Sequence, residues 1–366
     1  MADPRHQKLA KVLVHYSLAV KPGEKVLLTA PTAAAPLFTE CYREFIRAGA
    51  HVTTRLLLPE LREILLKEAS DEQLTYVSDL DRIQAEYYDA SLYIIADENT
   101  RQLSGVDPKR NAMRRAAFQP VNKIEDDRAA AGTFRWCLTL FPTHAHAQDA
   151  GMSLSDYEEF VYGAGLLHMD DPVQGWLKQH EEQQRIVDYL QQHDEIHIVT
   201  PTTDITYRVG GRKWMNADGK VNFPDGEVFS APIEDSVNGT VHFTYPAIYD
   251  GHEVEDVRLT FKDGVVVEAT ASKGEAFLLA TIDTDAGSRR LGEVAFGTNY
   301  GIQRFSRELL FDEKIGGTMH MALGSTYPET GGVNESGLHW DMVCDLKEGR
   351  VYADGQVCYE NGKFVI

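Results

Sequence analysis

Cysteine is scarce and scattered. Cys41, Cys137, Cys344 and Cys358 stand far apart with no C-x-x-C pair, which argues against a disulfide framework and a thiolate metal site and fits reduced, buried thiols in a cytoplasmic protein. Positive charge is also short: 36 Lys and Arg face 56 Asp and Glu, a formal net charge of -20 at pH 7. Such a chain suits neither nucleic acid, whose phosphates need a basic surface, nor an anionic membrane, but it accepts a cationic or zwitterionic small substrate. Long apolar runs are missing, so no membrane span is expected, and the opening M-A-D-P-R-H-Q-K lacks the apolar core of a signal peptide. The turn after the first expected strand reads T-A-P-T-A-A-A-P. With neither G-x-G-x-x-G nor G-K-[ST] in that place, NAD and ATP are excluded as expected cofactors.

What is present is an ordinary globular composition, 43% hydrophobic and 25% charged over 366 residues, enough for two domains. The first half alternates strands and helices. Expected strands are 25–30, 51–58, 91–96 and 134–141. Expected helices are 8–20, 33–48, 59–68, 71–86, 108–131 and, opened by a cap at Ser155, a further one before a long polar helix at 173–193. Continuous apolar strands between helices predict a mostly parallel sheet covered on both faces. From Glu195 the period changes to two, with G-G, N-G and D-G turns and a closing D-G then N-G meander. The fold class is therefore an α/β N-terminal domain, 1–194, followed by a β-rich α+β domain, 195–366. Two helices are expected in the second half, near 273–285 and 287–294.

The chemistry-bearing residues fall in that second half. The stretch from Glu313 to Asp341 reads E-K-I-G-G-T-M-H-M-A-L-G-S-T-Y-P-E-T-G-G-V-N-E-S-G-L-H-W-D and holds His320, Tyr327, His339 and Asp341. On a strand, residues two apart share a face, so His339 and Asp341 can aim an imidazole and a carboxylate at one point while Trp340 packs behind. Glu227 in P-D-G-E-V-F and Glu293 in L-G-E-V-A add isolated carboxylates. A mixed imidazole and carboxylate set suits zinc, cobalt or manganese. The bland readings are a turn for Glu227, a helix-end surface position for Glu293, and packing for His320 and Tyr327. A rival pair, His144 and His146, has only Asp149 beside it and reads as a solvated helix start.

Taken in order, G-R-K-W-M-N-A-D-G-K-V-N-F-P-D-G-E-V-F-S-A-P, L-G-E-V-A, H-M-A-L-G with its following Tyr, and N-E-S-G-L-H-W-D resemble the thermophilic-type metallo-aminopeptidases (aminopeptidase T/S, peptidase family M29). The resemblance implies release of N-terminal amino acids from peptides by a two-metal centre in a homodimer. It implies Glu227, Glu293, His320, His339 and Asp341 as metal ligands and Tyr327 as an active-site tyrosine. Two departures from the family stand out: the N-terminal half is shorter, and the run from Glu313 to His320 is about two residues longer, so that Glu313 is either a ligand or a residue behind the ligands.

The residue types agree with that chemistry. Two ions sharing a water lower its pKa and polarise a carbonyl, a phenol can steady an oxyanion, and Glu293 or Glu313 can carry the proton to the leaving amine. A peptide's free amino end suits an acidic site. His320, His339 and Asp341 alone would make the triad of a mononuclear iron ring-cleaving dioxygenase; the two glutamates discriminate against it. A binding protein with a structural metal is the third reading, disfavoured by five ligands without cysteine.

Overall fold

The computed structural model describes residues 3–366. The chain divides into two compact units. One takes the sequence up to Val173 together with Gly219–Pro224, and the other holds Gln174–Asp218 and Asp225–Ile366.

The first unit is built on a fully parallel five-stranded sheet. Its spatial order is His51–Leu57, Lys25–Pro31, Ala90–Ile95, Arg135–Leu140 and Asn222–Phe223. The α/β fold class read from the sequence is the one observed. The edge strand His51–Leu57 is mostly exposed, whereas Lys25–Pro31 alternates buried with half-buried positions. A strand with one neighbour and the polar sequence H-V-T-T-R has less to bury than the central strands.

Local capping decides two helix boundaries that periodicity placed differently. The expected helix 71–86 is broken into Asp71–Thr75 and Asp79–Tyr87, because Ser70 and Ser78 each form a capping box. The helix expected from Ser155 is capped by Ser153, whose hydroxyl accepts the Asp156 N–H, and runs Leu154–Ala164. His144 and His146 do start a helix, but His146 is buried and not solvated.

The second unit is antiparallel and β-rich. An eight-stranded sheet contains the closing meander. Its hairpins turn at Asp263-Gly264, Asp354-Gly355 and Asn361-Gly362, each with positive φ at both residues. That backbone is what a tight two-residue hairpin between right-twisted strands requires.

The site sits on a separate five-stranded sheet, in the order His339–Asp345, Thr318–Gly324, Leu291–Gly297, Glu227–Ser230, Met215–Ala217. The helix expected over 287–294 is not formed. Leu291–Gly297 is a central strand, paired on one side with Thr318–Gly324 and on the other with Glu227–Ser230. Gly287 and Gly292 weaken any helix there, and pairing on both sides satisfies the backbone of a fully buried segment.

Register sorts the side chains. Glu293 stands opposite Ala322, which stands opposite Asp341; Ala295 stands opposite His320; Gly324 stands opposite His339; and Gly297 stands opposite Glu227. Directly paired residues share a face, so Glu227, Glu293, His320, His339 and Asp341 all project from one side with only alanine and glycine between them. The opposite face carries Val228, Val294, Phe296, Met319, Met321, Leu323, Trp340 and Met342 into the core. Burial of each of the larger of these contributes about 1.5–3 kcal/mol, and that burial fixes the register, since a one-residue slip would turn the polar set inward.

Gly297 sets the approach of the 313–316 loop. A Cβ there would meet the Ile315 carbonyl oxygen at 2.2 Å, and the Asn299 N–H donates to the Lys314 carbonyl at 3.0 Å. Gly297→Ala is expected to cost roughly 2–4 kcal/mol and to lower the melting temperature; an unchanged melt would mean that the loop is free to retreat.

Candidate metal centre

All five expected ligand side chains meet, and Glu313 joins them. Three groups each present ligand atoms within 4.8 Å of one another: Glu227, Glu293 and His320; Glu293, His339 and Asp341; Glu313, His320 and Asp341. Adjacent strands supply them, so sheet geometry and not loop flexibility sets their spacing. Glu313 comes from the loop that Gly297 admits.

Each imidazole is oriented from behind. His320 donates its Nδ1–H to the Glu313 carbonyl at 3.1 Å and His339 to the Ser325 carbonyl at 2.8 Å. The Nε2 atoms then point at carboxylates. His320 Nε2 lies 3.4 Å from Glu227 Oε2 and 3.5 Å from Glu293 Oε1. His339 Nε2 lies 3.4 Å from Glu293 Oε2 and 3.5 Å from Asp341 Oδ2. A backbone acceptor on the far nitrogen is the arrangement that prepares a histidine to ligate a metal.

The segment before His339 is braced by Asp285. Its carboxylate accepts the N–H groups of Gly287, Ser288 and Gly337 and the hydroxyls of Ser288 and Ser336. The Gly337 N–H, followed by the two hydroxyls, holds Asp285 down at about 2 although burial opposes it. Gln183 steadies Glu227 from beneath by donating to its carbonyl at 2.8 Å.

Electrostatics in this pocket are unbalanced without a cation. Burial pushes Glu227 up to about 8 and Asp341 up to about 6, against the pull of Lys314 and His320 on the first and of His339 on the second. Burial disfavours both imidazolium ions, yet the surrounding carboxylates outweigh it and raise His320 and His339 to about 10. Glu293 is raised by burial but the two imidazoles win and hold it at about 2. Glu227 Oε2 and Asp341 Oδ1 are buried and accept no hydrogen bond. An orphaned buried acceptor costs about 1–3 kcal/mol, and a bound cation is the partner that removes the cost. The donor set, its orientation and its orphaned oxygens fit divalent metal ions.

Tyr327 stands at the rim, 43% exposed. Its ring meets His339 edge-on at 5.1 Å and Phe229 at 5.7 Å. Partial desolvation, then Glu293 and Asp341, raise its phenol above the ordinary value, so it is a hydrogen-bond donor at neutral pH.

Two residues of this cluster were not read from the sequence. Lys314 is fully buried, with Nζ 2.6 Å from Glu227 Oε1, 2.6 Å from Glu313 Oε1 and 3.6 Å from Asp225 Oδ1. Asp225 is buried beside it, pushed up to about 6 by desolvation against the pull of Lys314. The D-G-E spacing of Asp225 and Glu227 was a readable hint; a lysine after a glutamate looks like any surface pair.

Comparison with known proteins supports a metal-dependent peptidase. A model of the family described as thermophilic metalloprotease (M29) matches residues 2–364. Aminopeptidase 2 of Geobacillus stearothermophilus is 32% identical, with 95% of this chain and 94% of that protein covered. Aminopeptidase T of Thermus aquaticus is 26% identical over 93% of this chain and 92% of its own length. The solved structure of wild-type AmpT from Thermus thermophilus superposes with a TM-score of 0.85 at 26% identity, covering 99% of both chains.

Protonated imidazoles have a measurable consequence. In metal-free protein the folded state binds more protons than the unfolded chain, because both histidines titrate near 10 instead of 6.5. Stability from them is complete below pH 6.5 and is lost as pH rises through 10, and Glu227 acts in the same sense between about 4.5 and 8. The limiting slope is about 1.4 kcal/mol per pH unit for each retained proton. Metal-free protein is therefore expected to melt progressively lower from pH 6.5 to 10, and the metal-loaded protein less so, since ligation displaces those protons. Parallel melting curves for the two forms would contradict the arrangement.

Proposed function

The chain belongs to the M29 family of thermophilic metalloproteases and is a peptide hydrolase of the metal-dependent aminopeptidase type, and from that premise we propose that it works through two divalent metal ions held by Glu227, Glu293, His320, His339 and Asp341. The observation that carries the two-ion reading is the split of Glu293: its Oε1 faces His320 and its Oε2 faces His339. A carboxylate so placed would serve two ion positions, with Glu227 and His320 available to complete one and His339 and Asp341 the other. Charge supports the same count. Asp225, Glu227, Glu293, Glu313 and Asp341 bring five negative charges to a buried cluster in which Lys314 is the matching ammonium. With both imidazoles neutral, four charges stay unmatched, which is what two divalent ions supply, and buried charge is tolerated only when matched.

When bound, such ions would lower the pKa of a coordinated water and polarise the scissile carbonyl. The chain's own groups do the rest. His320 and His339 keep their Nε2 lone pairs forward because backbone carbonyls hold the other nitrogen. Tyr327, protonated and at the rim, donates a hydrogen bond to the oxygen that gains charge in the tetrahedral intermediate. Glu293 has both oxygens committed to the two imidazole positions, so Glu313 is assigned the proton taken from water and returned to the leaving amine. Its Oε1 rests on Lys314, and its other oxygen is the acceptor. The acidic balance of the chain as a whole, a formal net charge of -20, favours a substrate with a free, protonated α-amine. The working form is read as a homodimer, as the family resemblance implies. Neither the geometry nor the named relatives support the mononuclear iron dioxygenase: Glu227 and Glu293 share the face of the would-be triad.

The test is hydrolysis of aminoacyl chromogenic amides by protein as purified, after chelation, and after return of zinc, cobalt or manganese. Activity is expected to vanish on chelation and to return with about two equivalents per chain. Glu293→Gln is expected to lower both metal content and kcat/KM, the latter by at least about a hundredfold. Full activity and full metal content in that variant would sink the shared-carboxylate reading.

Tyr327→Phe addresses the oxyanion donor separately. Loss of one such donor is worth roughly 2.7–4 kcal/mol, or about 10² to 10³ in kcat, so kcat should fall by that factor with KM little changed. A change confined to KM would assign the ring to binding.

A further inference from the structure

Among the described residues, Lys314 is the ammonium placed among the candidate ligands, and the reaction as described gives it no contact with substrate. Its ammonium is fully buried, so it cannot meet a peptide. Two of its contacts are short and charge-assisted, to Oε1 of Glu227 and Oε1 of Glu313, both 2.6 Å. The loop that carries it is fastened by Asn299, which donates its N–H to the Lys314 carbonyl and its Nδ2 to the Asp225 carbonyl. The clamp thus ties the lysine loop to the loop leading into Glu227.

The consequence lies in how the two oxygens of each glutamate are spent. Glu227 Oε1 is held by the ammonium, while Oε2 accepts no hydrogen bond and lies 3.4 Å from His320 Nε2. Glu293 differs, since neither of its oxygens touches Lys314 and each faces a different imidazole. Chelation of one ion by both oxygens of Glu227 would require breaking a buried N–H···O contact of the stronger, ionic kind. We propose that Lys314 is a positioning residue of the metal centre: by holding Oε1 of Glu227 and Oε1 of Glu313 it restricts Glu227 to a single donor oxygen, Oε2, and leaves the sharing of two ions to Glu293. This rests on the two-metal reading above and adds to it a rule for which oxygens are available.

The same contact explains why a lysine is kept where desolvation is costly. Asp225, Glu227 and Glu313 converge on one point, and without a cation at Nζ the two glutamates would repel or rotate toward the ions. An arginine could not replace it simply, because its planar fork would claim both oxygens of a carboxylate instead of one.

Cobalt reports coordination number directly, since visible absorption weakens as the ion moves from four or five ligands toward six. The experiment loads the natural chain and K314M with cobalt and compares spectra, bound equivalents and cobalt affinity, alongside amide hydrolysis. In K314M the freed Glu227 Oε1 should turn to the metal, so the visible bands are expected to weaken and shift, and cobalt affinity or kcat to change by about 10- to 100-fold. Spectra and affinities that superimpose would overturn the role of Lys314 while leaving the metal centre standing. Failure of cobalt to bind the natural chain would overturn the metal reading and this inference with it. Should K314M fail to fold, a crystal structure of the cobalt-loaded natural chain decides: Glu227 bound through Oε2 alone with Nζ still on Oε1 supports the inference, and Glu227 chelating through both oxygens, or a displaced lysine, overturns it.

Discussion

Five carboxylates crowded against one dehydrated sheet face are the constraint on which the rest of this molecule depends. Like charges at such spacing repel, and each loses hydration on burial. The cluster persists only if positive charge is supplied to match it. Lys314 supplies one unit permanently. The imidazoles supply two more as protons in the metal-free protein, burial pushes Glu227 and Asp341 up toward holding protons of their own, and divalent ions are proposed to replace those protons in the working enzyme. The raised values of Glu227, Asp341, His320 and His339 are four expressions of one deficit.

The scaffold answers this demand by making the site two-sided. Period-two alternation puts Met319, Met321, Leu323, Trp340 and Met342 into the core and sends His320, His339 and Asp341 the other way. Apolar burial on one face thereby holds the register that charge repulsion on the other would loosen. Alanine and glycine between the ligands keep the polar face open, and close approach at Gly297 lets the 313–316 loop deliver Glu313 and Lys314 onto the same point. Anchoring groups complete the arrangement: Asp285 for the His339 segment, Gln183 beneath Glu227, and backbone carbonyls behind both imidazoles. Each acts at one remove from the cluster, and each fixes a direction more than it adds a charge.

Much of this was readable in one dimension. The shift from strand–helix alternation to period two after Glu195 marked the change of architecture, and D-G and N-G dipeptides marked hairpins whose φ values are the ones those residues tolerate. The H-x-D pair announced a strand with Trp340 behind it. Reading failed where a local cue had a competitor. L-G-E-V-A looked like a helix end until strands on both sides claimed its backbone. Ser153 outbid Ser155 as a cap, and Ser78 cut one expected helix in two. His146 looked solvated because burial of a single side chain has no signature at that length scale.

By itself, then, the sequence determined the residue types and, for the H-x-D pair, their parity: which side chains could ligate, and that His339 and Asp341 would share one face of a strand with Trp340 behind them. Those follow from chemistry and from a two-residue repeat that is local to each strand. Only the tertiary structure decided which oxygen of each carboxylate is spent on what. Glu293 faces both imidazoles because strand order puts His320 on the next strand and His339 one strand beyond it, and Glu227 Oε1 meets an ammonium because a loop eighty-seven residues away brings Lys314 to it. Such assignments depend on strand order and loop closure between distant segments, and no pattern along the chain encodes them.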